Sequence, residues 1–218
     1  TTMLEVQNIS KSYGELSILK DISFSIKEGE IVSIVGSSGA GKTTLLQILG
    51  TLDRQDSGNF YINGIDPFEY KQKELARFRN KNIGFVFQFH QLLPEFNALE
   101  NIMIPSMISG ASKTLAKEKA LHLLESVGLG ARKNHQPGQL SGGEQQRIAV
   151  CRALINEPKI VFADEPTGNL DTKNAEELQE LFFKFREEYQ QTFVIVTHNQ
   201  QLAEQADRII TMKDGFIL

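Results

Sequence analysis

Gly36-Ser37-Ser38-Gly39-Ala40-Gly41-Lys42-Thr43 decides how the rest of the chain is read. The stretch follows G-x-x-x-x-G-K-[ST], the pattern of a phosphate-binding loop. Ahead of it, Ile31-Val32-Ser33-Ile34-Val35 reads as a short buried parallel strand. Behind it, Thr44 to Leu49 carries a helical pattern that Gly50 is placed to end. Strand, glycine loop and helix are the context this motif requires. Glycines let the backbone wrap a phosphate closely with successive N–H groups turned inward, and the helix start adds partial positive charge. The dipole contributes about 0.3–1 kcal/mol, a charge-assisted hydrogen bond about 1.5–3. Lys42 and a metal held by Thr43 are therefore expected to supply most of the affinity for a polyphosphate.

Two further stretches carry chemistry. Ile160-Val161-Phe162-Ala163-Asp164-Glu165 is an apolar strand that delivers two carboxylates at its end. Beside a phosphate loop, an acid there suits a metal's coordination sphere. Side chains alternate along a strand, so the two acids are expected on opposite faces, Asp164 in a Mg2+ shell and Glu165 polarising water. In Leu140-Ser141-Gly142-Gly143-Glu144, Ser141 and Glu144 form a capping box that opens a helix from Gln145 to Ile155. Two glycines in a first turn disfavour the helix by about 1 kcal/mol each relative to alanine, and a plain cap has no use for them. They fit if a bulky anion must approach the backbone N–H groups. The chain then owns two phosphate cradles, which points to a nucleotide shared between two chains.

Outward from these stretches, Leu4 to Ile9 and Ile18 to Ile26 alternate apolar residues as strands. Phe60-Tyr61-Ile62 before Asn63-Gly64 reads as a further strand and a hairpin turn. Tyr13, in a Lys11–Gly14 turn, is either a packing aromatic or a ring that stacks on a nucleotide base. Tyr70 to Arg79 reads as a charged helix, and Ile83 to Phe87 as a buried strand ending at Gln88. No strand pattern appears between Phe89 and Pro158, where Lys113 to Val127 carries a helical stripe stopped by Gly128. Strands resume at Ile160–Ala163, Phe193–Val196 and Arg208–Thr211, and Asp171 is placed to cap a long helix. His198 is by itself a capping or surface histidine. The expected fold class is α/β: a mostly parallel P-loop sheet with an antiparallel β layer and an inserted α-helical subdomain. Residues 1–88 and 158–218 make the core and 89–157 the helical insertion, all within one domain.

Composition narrows the partners. A net charge of −4 with pI near 5.6 argues against a nucleic-acid surface, which usually carries a basic field. The single cysteine, Cys151, excludes an internal disulfide and, among apolar neighbours, reads as a small buried hydrophobe. No apolar run approaches the length that crosses a bilayer.

The set Gly36–Thr43, Gln88, Leu140–Glu144, Ile160–Glu165, Asp171 and His198 resembles the RecA-like ATPase subunit of ATP-binding cassette (ABC) transporters, in family order along essentially the whole chain. The resemblance implies a head-to-tail homodimer on ATP binding, with ATP held between the phosphate loop of one subunit and the LSGGE stretch of the other. It implies that Tyr13 stacks on adenine and that Gly36, Ser37, Ser38, Gly39, Ala40, Gly41, Lys42, Thr43 and Thr44 hold the phosphates. Thr43, Gln88 and Asp164 would reach Mg2+. Glu165 would be the general base, with His198, Gln88 and Lys42 completing the catalytic set. Ser141, Gly142, Gly143 and Glu144 would meet the partner's nucleotide, and Asp171 would lie in the loop that crosses between subunits. The family loop often reads S-A-L-D there, whereas this chain has Gly168-Asn169-Leu170-Asp171.

Phe87 to Asn101 and Pro166 to Asp171 are similar, more narrowly, to the ATPase of bacterial lipoprotein-releasing systems, the LolD family. That implies a peripheral subunit on the cytoplasmic face of the inner membrane, powering an integral membrane permease. Phe89, Leu92, Leu93 and Phe96 either dock a permease helix or form the core of the helical arm. ATPases of macrolide-type efflux and of cell-division or cell-wall systems share the second stretch and are the alternative. Nucleic-acid-associated ATPases of this class carry long coiled-coil insertions for which the arm has no room, so no nucleic-acid partner is expected.

Overall fold

A hairpin of two long strands, β1 (Thr2–Tyr13) and β2 (Leu16–Lys27), opens the chain. The computed structural model describes residues 1–218. The chain enters a central sheet as β3 (Ile31–Gly36), passes through the glycine loop into α1 (Lys42–Leu49), and returns as β4 (Ser57–Ile62), antiparallel to β1. After α2 (Gln72–Asn82) comes β5 (Ile83–Phe87), then three helices, α3 (Ala98–Ile108), α4 (Lys113–Ser126) and α5 (Gly142–Leu154). The sheet resumes with β6 (Ile160–Asp164), α6 (Thr172–Tyr189), β7 (Thr192–Val196), α7 (Gln200–Gln205), β8 (Arg208–Lys213) and β9 (Phe216–Ile217). One sheet has the order β2-β1-β4; the other, β5-β6-β7-β3-β8-β9, is parallel except for its last pair.

The period of two along the central strands divides the interior. Val32, Ile34, Ile160, Phe162, Val194 and Val196 pack with α1 and the antiparallel sheet, while Ile31, Val161, Ala163, Phe193 and Ile195 pack with the helices of the arm and α6. Leu45, Leu46, Ile48 and Leu49 of α1 are all fully buried, because that short helix lies between two sheets. Parallel register then sets the site: Phe87 pairs with Asp164, and Asp164 and Ile34 both pair with Val196. The carboxyl ends of β5, β6, β7 and β3 are therefore level, and the residues that follow them share one crevice, where open α/β sheets bind ligands.

Three local expectations change. Tyr13 ends β1 rather than sitting in a turn, since the hairpin turns at Gly14-Glu15. The Asn63-Gly64 turn returns for only one bridge, Ile62 to Ile65, because Asp66 and Pro67 start a short 3-10 turn and proline has no N–H for a ladder. Helix α3, which the periodicity leaves unassigned, is apolar on most of its surface and is opened by an Asn97–Glu100 capping box.

Candidate functional site

Level strand ends bring the loop and the acids into a cleft of about 360 Å3, lined by Ser38, Gly39, Gly41, Lys42, Thr43 and Thr44 on one side and Gln88, Asp164, Glu165 and His198 on the other. The N–H groups of Lys42, Thr43 and Thr44, the first turn of α1, bond to nothing in the chain. Lys42 is buried, and its Nζ donates to the Gly36 and Ser37 carbonyls, each at 2.8 Å. Burial lowers its pKa against the opposing pull of Glu165 and Asp164. Thr43 Oγ1 lies 3.4 Å from Asp164 Oδ1.

The two acids do not divide by strand alternation. β6 ends at Asp164, and Glu165 takes a left-handed backbone (φ 48°), held by its N–H to the Val196 carbonyl at 2.8 Å. That conformation, costing about 1–3 kcal/mol in a residue other than glycine, swings Glu165 into the cleft that Asp164 already lines. The expectation of opposite faces is overturned; neighbours separate the acids instead. Asp164 faces Thr43, whereas Glu165 Oε2 accepts the His198 N–H at 3.1 Å and Oε1 lies 3.0 Å from His198 Nε2. Burial raises both carboxyls above the usual range, opposed by Thr43 and Lys42 at Asp164 and by His198 at Glu165.

Residues 19–168 match the ABC transporter family. The chain belongs to that family. It is 58% identical to the lipoprotein-releasing system ATP-binding protein LolD of Bacteroides thetaiotaomicron, over 99% of each chain. It is 56% identical to the protein of the same name from Bdellovibrio bacteriovorus, over 95% of this chain and 96% of that one. A solved structure, the dimeric post-hydrolysis state of the ATP-binding cassette MJ0796 bound to ADP and Pi, superposes with a TM-score of 0.90 at 42% identity, covering 99% of this chain and 96% of the other. The fold read from the sequence is thus the fold of an ABC ATPase, a class of ATP-hydrolysing subunits.

Other sequence-assigned residues of this ABC ATPase lie away from the cleft walls. Half-exposed Tyr13 donates through its hydroxyl to Asp53, which together with burial raises its pKa to about 12, and carries the Lys11 ammonium 4.9 Å from its ring centre. Ser141 caps α5, accepting the Glu144 N–H at 3.1 Å while Glu144 accepts the Ser141 N–H at 3.0 Å. Asp171 caps α6 by accepting from the N–H and the side-chain amide of Asn174. Gly143 also has a packing role beside the cap. A Cβ there would come within 1.9 Å of Asn174 Oδ1, so packing between α5 and α6 demands either glycine or a shift of the Asn174 side chain. Gly142, whose added Cβ would meet only Leu170 at 3.9 Å, has no such demand.

Leu92 is also corrected: it is buried in the arm core and leaves Phe89, Leu93 and Phe96 as the exposed apolar residues of that loop. A groove of about 450 Å3 runs beside the loop, between α2 with β5 and the helical arm, with Leu52, Phe87, Gln91 and Ile108 on its walls. Two residues went unread in the sequence. Buried Gln146 donates one amide nitrogen to the Phe87 carbonyl at 2.9 Å and the Pro166 carbonyl at 2.8 Å, tying α5 to the residues flanking Gln88 and Glu165. Arg152 donates to the His90 and Gln91 carbonyls. A glutamine on the apolar face of α5 was the available signal for the first.

Proposed function

We propose that this chain is the ATP-hydrolysing subunit of a lipoprotein-releasing ABC transporter. Two copies work as a head-to-tail pair, peripheral to the cytoplasmic face of a bacterial inner membrane, and drive a separate membrane permease. The observation that carries this reading is the 58% identity to a lipoprotein-releasing ATPase over 99% of both chains.

The triphosphate runs along Gly36–Thr44 and takes the unpartnered N–H groups of Lys42, Thr43 and Thr44, and Lys42 Nζ exchanges its loop carbonyls for phosphate oxygens. Tyr13, at the end of the β1–β2 hairpin, stacks on adenine. Glu165 takes a proton from the water that attacks the γ-phosphorus; the new P–O bond forms as the bond to the β-phosphate oxygen breaks and ADP leaves. Burial makes Glu165 a stronger base than an exposed glutamate, and the His198 N–H holds Oε2 while the buried Oε1, without a hydrogen-bond partner in the chain, is left for the water. The Thr43 hydroxyl, the Asp164 carboxylate and the Gln88 amide oxygen are hard donors that fit Mg2+. That ion takes one or two carboxylates and completes its shell with water and phosphate. An Mg2+ ion held by these three residues would neutralise charge on the phosphates.

The second copy brings Ser141 and the unpartnered N–H groups of Gly142 and Gly143 to the γ-phosphate, and Asp171 lies on the loop between the two sites. The permease docks on Phe89, Leu93 and Phe96 beside the Leu52–Ile108 groove. Ser141→Arg tests the pairing: ATP affinity of the isolated subunit stays unchanged while turnover falls more than about 100-fold. Unchanged hydrolysis at high protein concentration would overturn the shared site. For the cargo, the chain is reconstituted with its permease in vesicles carrying a triacylated lipoprotein, and ATP-dependent release is followed. Macrolide export without lipoprotein release would overturn the assignment.

A further inference from the structure

We propose that Asn169 is a positioning residue for Gln88, turning the amide oxygen of Gln88, and not its nitrogen, toward the metal position of the cleft. The inference rests on the reading of Gln88 as an Mg2+ ligand. Two contacts join the pair. Gln88 Nε2 donates to Asn169 Oδ1 at 3.3 Å, and Asn169 Nδ2 donates to the Gln88 main-chain carbonyl at 3.5 Å. A main-chain carbonyl can only accept, so the Asn169 atom that faces it is the nitrogen. The Asn169 oxygen then faces the Gln88 side chain, and an oxygen requires a donor there. The two amides thus assign each other without reference to any ligand. What remains on the far side of the Gln88 amide carbon is Oε1, the atom left for the cleft that Gln88 lines.

Gly168 completes the device. A Cβ at that position would lie 2.8 Å from Gln88 Nε2 and 3.1 Å from its amide carbon, so the residue before Asn169 must be small for the amide to rest there. Together Gly168 and Asn169 account physically for the place where this chain departs from S-A-L-D. Without Asn169 no hydrogen bond in the chain holds the amide in one orientation before the cation arrives, and the flipped one sets N–H groups against it. Loss of an outer-shell partner of this kind lowers metal affinity by about 10–100-fold.

The experiment uses the full chain in a Glu165→Gln background with one equivalent of ATP, and Mn2+ as the probe, its free concentration read by electron paramagnetic resonance. Asn169→Ala is expected to weaken Mn2+ binding about 10-fold and to leave both the melting temperature and the ATP affinity in EDTA unchanged. Gln88→Ala is expected to weaken Mn2+ by at least as much, and the double variant by no more than Gln88→Ala alone. If Gln88→Ala weakens Mn2+ and Asn169→Ala does not, the positioning role is wrong and the ligand role stands. If neither weakens it, Gln88 is not a ligand and the underlying reading fails. Additive losses would mean that Asn169 acts by another route, and would likewise overturn the proposal.

Discussion

The loop at Gly36–Thr43 and the helix start at Ser141–Glu144 have the same backbone property, N–H groups without partners at the positive end of a helix, but different neighbours. Around the first stand Lys42, Asp164, Glu165 and His198 in one cleft. At the second the only acid, Glu144, is committed: it accepts the Ser141 N–H and faces Arg132 at 3.3 Å. Both ends offer N–H groups, but only the first has carboxylates beside it that are not spent on a helix cap. A helix start is half a site, and the strand ends of the parallel sheet supply the other half.

The largest effect should come from exchanging the two glutamates for glutamine. Removing a general base costs about 100–10,000-fold in rate, so Glu165→Gln should cut the rate of phosphate release by about 1,000-fold while ATP still binds and a nucleotide-bound dimer accumulates. Glu144→Gln keeps the S-x-x-[EQ] cap and should change the rate by less than a few-fold. Comparable losses from both variants would erase the distinction between the two ends.

A smaller effect asks why Gly143 is glycine. If Asn174 sets the demand, Gly143→Ala overpacks the junction of α5 and α6 and costs about 1–3 kcal/mol of stability. Asn174→Ala should restore part of it, because it removes the two nearest atoms, at 1.9 and 2.5 Å, and leaves the Asn174 Cβ at 3.0 Å. Chemical denaturation of both variants checks this. Full stability of Gly143→Ala combined with loss of ATPase activity would return the glycine to the anion.

What the sequence made legible follows the range of the interactions. The loop, the strand before it and the strand-end acids were readable because each is a local pattern with one physical use. The side on which Glu165 lies was not, because it depends on a left-handed backbone held by Val196 from another strand. The packing at Gly143 was hidden for the same kind of reason: Asn174 lies against its missing Cβ from a different helix. Leu92 and Leu93 are adjacent and equally apolar in sequence, yet Leu92 enters the arm core while Leu93 is exposed, a division set by how the loop is held. Asn101 holds it, accepting the Leu93 N–H at 2.8 Å and donating to the Leu93 and Phe96 carbonyls.

The smallest effect is a difference of sign between the same two glutamates. Burial raises the Glu165 carboxyl, so the folded chain binds that proton more tightly than the unfolded chain does. Its ionisation therefore costs stability at neutral pH. That cost is relieved as pH falls through the raised folded value and is gone below the unfolded value of about 4.3. The Ser141 N–H, despite some burial, holds the Glu144 carboxyl below its usual range, with help from the Ser141 hydroxyl and from Arg132 and Arg147. Glu144 thus contributes stability above an unfolded value of about 4.3, lost as pH falls through its depressed folded value. Glu165→Gln should raise the melting temperature at pH 7, with the gain shrinking toward acid. Glu144→Gln should lower it by the worth of a carboxylate at a helix start, about 0.3–1 kcal/mol or a few degrees at most, with that loss persisting to lower pH before it fades. Thermal melts of both variants and the parent between pH 4 and 8 measure the two slopes. Slopes of the same sign would mean that Glu165 is held as an ordinary paired surface carboxylate, and its assignment as a base poised by burial would not survive.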